Sequence, residues 1–361
     1  MMFLNGRWAT SFLLLISVGS LMLSVCALSS PGRGPTLLSN LFGGLEGPGY
    51  NFSPTAPMQP RAQELLDKLD MQSLLEPQLA KVEPRQISDL LAASAPIALR
   101  AAFGVFGLDY QLRWIPRDDE KYSYIATRSS QLEETCFSKA PQVPLILYDS
   151  ESNAECRQIR EACSVLSLTM WVRPVPRGGQ IFGAELQQND ATEVPVLIDP
   201  NTSITLSDKP KIIKYLFATY GNGDIPLALR DAVEGKAFSW AEVSSFLAVG
   251  VSRLGAGGAY KFSNQPSRTI DGQPALTLWA YEGSPYCKLV RETLSSLELE
   301  HTIIYSPRGS PNRSKMWHQT GRVQFPYLED ANTGVALFES AAIVEYLQKQ
   351  YALEPAAVKF M

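Results

Sequence analysis

Leu276-Thr277-Leu278-Trp279-Ala280-Tyr281-Glu282-Gly283-Ser284-Pro285-Tyr286-Cys287-Lys288-Leu289-Val290-Arg291-Glu292 is the stretch from which the fold is read. Its first five residues make a short apolar strand. Residues 285–297 follow as a helix, with Leu289, Val290, Leu294 and Leu297 on one side. Downstream come a β-rich run, Thr302-Ile303-Ile304-Tyr305, a turn at Pro307-Arg308-Gly309, and a weakly patterned segment over 314–320 expected to be helical. Residues 325–329 and 335–338 read as strands around the turn-rich Asp330-Ala331-Asn332-Thr333-Gly334. Residues 341–351 close the unit as a helix with Ile343, Val344 and Leu347 facing inward. The order is βαβαββα. Parallel strands joined by a helix, then an antiparallel hairpin and a covering helix, give an α/β sandwich on a mixed four-stranded sheet flanked by helices.

Sliding the chain on itself by 131 residues aligns this unit with an earlier one without a gap. Leu145 falls on Leu276, Cys156 on Cys287, Arg160-Glu161 on Arg291-Glu292, and Pro176-Arg177-Gly178 on Pro307-Arg308-Gly309. The register holds through Pro195 and Pro326, Asp199 and Asp330, Asn201 and Asn332, Leu206 and Leu337, and Tyr215-Leu216 and Tyr346-Leu347. Each copy is too long for a solenoid repeat, so the pair reads as two tandem domains. A chain of 361 residues suits two such domains plus linkers.

The expected organisation is a leader over residues 1–52, a helical lead-in over 53–140, a degenerate first domain over 141–221, a helical linker over 222–274, and a second domain over 275–352. In the linker, an apolar helical stretch around 237–254 precedes a Gly/Ser/Pro-rich segment. Residues 87–106 are apolar and Ala-rich; Pro96 and Gly104 interrupt any clean amphipathic face, which favours a packing helix over membrane-surface contact.

Residues 1–45 contain Arg7 and Arg33 but no carboxylate, and 11–28 is almost wholly apolar. With Val25-Cys26-Ala27 as a small-residue exit, this fits a secretory signal peptide cut after Ala27; the alternative is a single N-terminal membrane anchor, for which the run is only marginally long. Ser29, Ser30, Arg33, Thr36 and Ser39 then resemble a plastid transit segment. Such two-part leaders mark algae with complex plastids. Removing 1–52 takes away two Arg and one Glu, so the formal charge moves from −4 to −5. Neither value attracts phosphate, and nucleic acid is excluded as a partner. Of five cysteines, Cys26 leaves with the leader; Cys136, Cys156, Cys163 and Cys287 are spread over two domains, and a disulfide scaffold is not expected. Cys156 and Cys163 sit about 10 Å apart by helical rise, beyond disulfide reach. The sequons at Asn51, Asn201 and Asn312 are read as chance.

Gly283-Ser284-Pro285-Tyr286-Cys287-Lys288-Leu289-Val290-Arg291-Glu292 resembles the glutaredoxin and glutathione-transferase N-terminal family. Phe325-Pro326-Tyr327-Leu328 is similar to that family's cis-proline loop, and residues 338–347, Phe-Glu-Ser-Ala-Ala-Ile-Val-Glu-Tyr-Leu, to its glutathione-binding Glu-Ser element. The duplication, Arg308-Gly309-Ser310-Pro311 and Asp330-Ala331-Asn332-Thr333-Gly334 resemble a plastid group of plants and algae described as tandem thioredoxin-family proteins. The resemblance covers about residues 85–351 and implies two thioredoxin-like domains, with glutathione as ligand or co-substrate.

A strand-to-helix turn offers free N–H groups and the positive end of a helix dipole, which favour a thiolate. Glutaredoxins place their nucleophilic cysteine where Ser284 stands, so ordinary two-cysteine exchange is not expected. Serine-type glutathione transferases imply that the Ser284 hydroxyl donates to the glutathione thiolate; the competing reading is a plain N-cap before a first-turn proline. Cys287 is either a redox thiol or a small core residue. A cis bond before Pro326 would offer the Phe325 N–H and C=O to an extended peptide such as glutathione. Glu339 would take the ligand ammonium, and Ser340 with the first-turn N–H groups its carboxylate; the competing reading of Ser340 is again a cap.

In copy one Asp208-Lys209 replaces Glu339-Ser340, and Asn153-Ala154-Glu155-Cys156 replaces the Ser-Pro-Tyr-Cys turn, which removes the hydroxyl and adds a carboxylate that disfavours a thiolate. Copy one is therefore expected to be structural or a partner-binding surface. His301 and His318 lie in no ligand pattern, so no metal is expected. The favoured function is recognition of glutathione or a glutathione-like thiol in the plastid, with transferase or thiol-exchange chemistry. The alternatives are a non-catalytic interaction module and redox exchange through Cys287 or Cys156 alone.

Overall fold

The computed structural model describes residues 84–100, 103–108, 110–116, 122–128, 140–188, 191, 193–234, 240–247, 253–269 and 271–353. The leader over 1–52 and Cys136 lie outside the described residues. The lead-in contains helix α1 (Pro84–Leu99), then an antiparallel hairpin of β1 (Tyr110–Pro116) and β2 (Tyr122–Arg128) with Tyr110 opposite Arg128. Helix was expected throughout this stretch. Tyr110, Leu112 and Trp114 alternate with Gln111 and Arg113, a period-two pattern that suits a strand.

Copy one runs β3 (Leu145–Asp149), α2 (Ala154–Val165), β4 (Thr169–Pro174), α3 (Phe182–Gln188), β5 (Val196–Asp199), β6 (Ile204–Leu206) and α4 (Lys209–Tyr220). The linker holds α5 (Leu227–Glu234) and α6 (Trp240–Phe246). Copy two runs β7 (Leu276–Ala280), α7 (Pro285–Ser296), β8 (His301–Tyr305), α8 (Asn312–Thr320), β9 (Tyr327–Asp330), β10 (Val335–Phe338) and α9 (Ser340–Tyr351). Both copies have the βαβαββα order. In each, the first two strands are parallel, and the third pairs antiparallel on the other side of the first.

The two four-stranded sheets do not end separately. Strand β4 pairs antiparallel with β8, giving one sheet in the order β10-β9-β7-β8-β4-β3-β5-β6. Trp171 lies opposite Thr302, and these positions are equivalent under the 131-residue shift, so a pseudo-twofold axis passes between them. Pairing satisfies backbone groups that would otherwise line two exposed edges. Helices α2, α4, α7 and α9 cover one face through a continuous core that includes Ile159, Leu216, Val290 and Leu347. On the other face, α3 sets Phe182 and Leu186 against Tyr148, while α8 sets Met316 against Trp279, Tyr327 and Phe338.

By periodicity, α2 and α7 should turn their charges to water. Instead Cys156 to Val165 is buried residue by residue, because the linker helix α6 packs over α2 as the lead-in helix α1 packs over α7. Glu151 accepts from Lys288 at 2.9 Å and from Arg291 at 3.2 Å, with Arg160 at 3.4 Å. Its equivalent Glu282 lies 2.9 Å from Arg291 and 3.4 Å from both Arg157 and Arg160. Those contacts bring charges together without aligned hydrogen bonds, for neither Glu282 oxygen has a hydrogen-bond partner. Further out, Arg100 clamps Glu161 at 2.6 Å and Arg253 clamps Glu292 at 2.7 Å. Buried charges persist only when paired, so this network ties the copies to one another.

Each copy also anchors its hairpin to its last helix through one aspartate. Asp330 accepts from Tyr346 at 2.6 Å, from Tyr351, and from the Asn332 N–H at 2.9 Å. Asp199 does the same with Tyr215, Tyr220 and Asn201. Among the described residues no helix is long and apolar enough to cross a membrane.

Candidate functional site

The candidate site forms where the C-terminal end of β7, the start of β9 and the start of α9 converge. Ser284 is extended, with φ −112° and ψ 123°, and its hydroxyl oxygen accepts the Cys287 N–H at 3.3 Å as the N-cap of α7. Pro285 fills the first helical position, where no N–H is needed. A capping hydroxyl keeps its own proton to donate. Ser284 is only 2% exposed, and Cys287 is buried beneath it. Burial pushes the Cys287 thiol up, against an opposing hydrogen bond from Ser284, so this sulfur is held neutral.

The Phe325–Pro326 bond is cis. The Phe325 ring meets Tyr281 edge to face, with centroids 5.8 Å apart, and the Arg313 guanidinium lies 4.8 Å and 5.6 Å from the two ring centres. Arg313 is aimed by hydrogen bonds to the Ser306 and Pro307 carbonyls. The aromatic cluster thus links the Ser284 turn to the cis-proline loop. No backbone group among the described residues pairs with the Phe325 N–H or C=O.

The Gln324 side chain donates to the exposed Glu339 carboxylate, joining this loop to the start of α9. Glu339 has φ 69° and ψ 122°, a conformation that costs a non-glycine residue about 1–3 kcal/mol. It stands at the N-cap yet makes no side-chain cap bond, while Ser340 is buried at the first helical position. Sequence reasoning gave the capping role to Ser340. The strained Glu339 backbone instead takes the N-cap position and leaves the first-turn N–H groups without a side-chain acceptor. Beside them, Arg322 lies 3.8 Å from the centre of the Phe338 ring.

Copy one keeps the cis bond, at Val194–Pro195, but closes both helix ends. Asp208 accepts the Lys211 N–H at 2.9 Å, so its carboxylate sits where an anionic ligand would bind α4. Asn153 accepts from the Glu155 and Cys156 N–H groups. The Cys156 thiol is pushed well up, by burial first and the nearby Asp149 second. Cys156, Cys163 and Cys287 are free and buried. Among the described residues no His, Cys, Asp and Glu cluster is placed to hold a metal ion.

The structure brings Phe325, Pro326, Glu339 and Ser340 into one patch through the Gln324–Glu339 contact, with Ser284 and Cys287 buried at the start of α7. Sequence reasoning missed Tyr281, Arg313 and Gln324. A signal for Arg313 was available: no carboxylate falls between Glu300 and Glu329, in a chain of net negative charge.

Residues 147–223 and 278–355 each match the family described as Glutathione S-transferase, N-terminal domain. Together these stretches make up less than half of the chain, one in each copy. No curated protein and no solved structure matches it.

Proposed function

Starting from a chain that is a glutathione-transferase-like thioredoxin-fold protein, we propose that copy two recognises glutathione through Phe325, Pro326, Glu339 and Ser340. The observation that carries this reading is the uncapped start of α9 beside Glu339 and the unpaired Phe325 backbone. A γ-glutamyl group carries an ammonium and a carboxylate on one carbon, and an extended peptide follows. Glu339 suits the ammonium, the first-turn N–H groups and Ser340 the carboxylate, and Phe325 the peptide. Copy one fills its own anion position with Asp208, so it takes no such ligand.

Any transfer chemistry would turn the Ser284 hydroxyl proton from the Cys287 sulfur toward the glutathione sulfur, because Cys287 itself is a neutral, buried thiol at pH 7. The second reading, an interaction module without turnover, draws on the burial of Ser284. A calorimetric titration of the whole chain with glutathione tests the recognition claim. Binding that weakens at least tenfold in a Glu339→Ala, Ser340→Ala variant supports it, and absence of binding by the folded parent sinks it. Plastid targeting rests on the leader's residue pattern. Fusion of residues 1–52 to a fluorescent protein in an alga with complex plastids tests that, and fluorescence retained in the secretory pathway would reject it.

A further inference from the structure

The segments that lead into the two copies are exchanged between them. Residues 103–108 lead into copy one, where the Leu108 N–H donates to the Val165 carbonyl at 2.8 Å, but reach across onto copy two. There the Gly107 N–H donates to the Arg308 carbonyl at 2.8 Å, and the Arg308 N–H donates to the Val105 carbonyl at 2.8 Å. Residues 257–260 lead into copy two but lie on copy one. The Tyr260 N–H donates to the Arg177 carbonyl at 3.1 Å, and the Arg177 N–H to the Gly258 carbonyl at 2.8 Å. Arg177 and Arg308 are equivalent positions of the repeat. So are two serines that fasten the segments: Ser164 donates to the Gly104 carbonyl at 2.9 Å and Ser295 to the Gly257 carbonyl at 2.7 Å.

Both segments press on the first turn of the copy they cover. A Cβ on Gly283 would stand 2.2 Å from the Val105 side chain and 2.8 Å from its backbone nitrogen; a Cβ on Gly258 would stand 2.1 Å from the Ser152 hydroxyl. Positions 152 and 283 are again equivalent. In copy one the covered turn carries Asn153, which caps a helix and nothing more. In copy two it carries the Ser284 hydroxyl. Arg308 follows β8 and Phe325 precedes β9, and these strands flank β7 on opposite sides. The segment therefore covers the side of the Ser284 turn away from the cis-proline loop.

We propose that residues 103–108 are a built-in lid over the Ser284 turn, so that copy two takes its ligand on the open Phe325 side while the hydroxyl is closed to a second reactant. This rests on the glutathione reading for the nature of the ligand, but the closure itself does not. Val105 belongs to the edge of the continuous core, Phe103, Phe106 and Leu108 pack against it, and the Leu108 N–H donates to the Val165 carbonyl at 2.8 Å, so the closure is a standing one. Strand β7 lies inside the sheet, and lifting the segment is a local opening at the rim of the core that leaves the sheet paired.

The test uses the whole chain with Ser284→Cys as a reporter thiol and Cys287→Ala to leave a single thiol in that peptide, followed by iodoacetamide alkylation and mass spectrometry. Slow reaction of the reporter is expected, rising at least about tenfold when Val105→Gly is added while β7 amides stay protected from hydrogen exchange. A reporter that reacts at the rate of an unfolded peptide without the Val105 change overturns the lid, as does an unchanged rate in the folded Val105→Gly chain. Should that variant not fold, hydrogen exchange of the parent chain decides: the Gly107 amide exchanging well before β7 supports a lid, and equal protection refutes it. Glutathione calorimetry on the Val105→Gly chain separates the two claims. Loss of binding in every form would remove the ligand reading and leave the accessibility result standing.

Discussion

Replacing Glu151 by glutamine keeps the side chain's volume and removes one charge from the network at the pseudo-twofold axis. Glu151 is 1% exposed and faces Lys288 at 2.9 Å, Arg291 at 3.2 Å and Arg160 at 3.4 Å. The variant leaves these cations buried with too little negative charge around them. Removing one partner of a buried pair costs about 3–5 kcal/mol. In a cooperative unit of this size that lowers Tm by about 10 °C. Glu282→Gln should cost less, about 1–2 kcal/mol, because neither Glu282 oxygen makes an aligned hydrogen bond.

The pH dependence follows from the same contacts. Burial alone would raise the Glu151 carboxyl, but Arg160, Arg291 and Lys288 together hold it well below the usual carboxylate range. A carboxyl depressed in the fold stabilises above its unfolded value of about 4.3 and loses that contribution as pH falls through the folded value. The gap between parent and variant should therefore stay constant from about pH 5 to 8 and close only in strong acid. Thermal and urea unfolding followed by circular dichroism measure both effects. A loss under about 1 kcal/mol for Glu151→Gln, or a parent chain whose two copies melt separately, would refute the claim that the network binds them into one unit.

Burial lowers the His301 imidazole to about 4, and its ring nitrogen pairs with the Leu299 carbonyl. The unfolded chain takes up that proton as pH falls below about 6.5, so stability should drop by up to roughly 3 kcal/mol between pH 6.5 and 4. His301→Gln should flatten that part of the profile, and an unchanged slope in urea titrations would assign it to other groups. Asp330→Asn weakens the acceptor that holds Tyr346 and Tyr351 against the hairpin and should cost about 2–3 kcal/mol in the same assay. Asp199→Asn removes the corresponding anchor in copy one and should cost a similar amount; a negligible cost for both would show that packing alone seats these helices.

The repeated βαβαββα order was legible because each element carries its own local signal. Alternating or continuous apolar runs mark the strands, Ser284-Pro285 opens a helix, and Asp330 to Gly334 marks the hairpin turn. The join between the sheets was not. Nothing local in Trp171 or Thr302 states that β4 and β8 meet, since edge pairing depends on what the rest of the chain delivers there. The same limit hid the charge network. The identities Glu151 and Glu282, Arg160 and Arg291, and Glu161 and Glu292 were visible in the repeat, but a helix face rich in charge reads as solvated until its cover is known.

Of the site, the cis-proline loop and the Glu339-Ser340 pair were readable as motifs. Which of the two stands at the N-cap depends on the positive φ of Glu339, a backbone detail that no residue type at that position requires. The covering segment at 103–108 was hidden for a further reason. Val105 meets Gly283 across 178 positions of sequence, and only the exchange of lead-ins between copies brings them together.

Hydrogen–deuterium exchange of the whole chain, with and without saturating glutathione, tests the central claim most directly. Added protection is expected at the 324 and 325 amides and at the first turn of α9, over 340–342, with the matching amides of copy one, at 193, 194, 209 and 211, unchanged. Protection in copy one instead, or none in either copy at a concentration that saturates other glutathione-binding proteins, would contradict it.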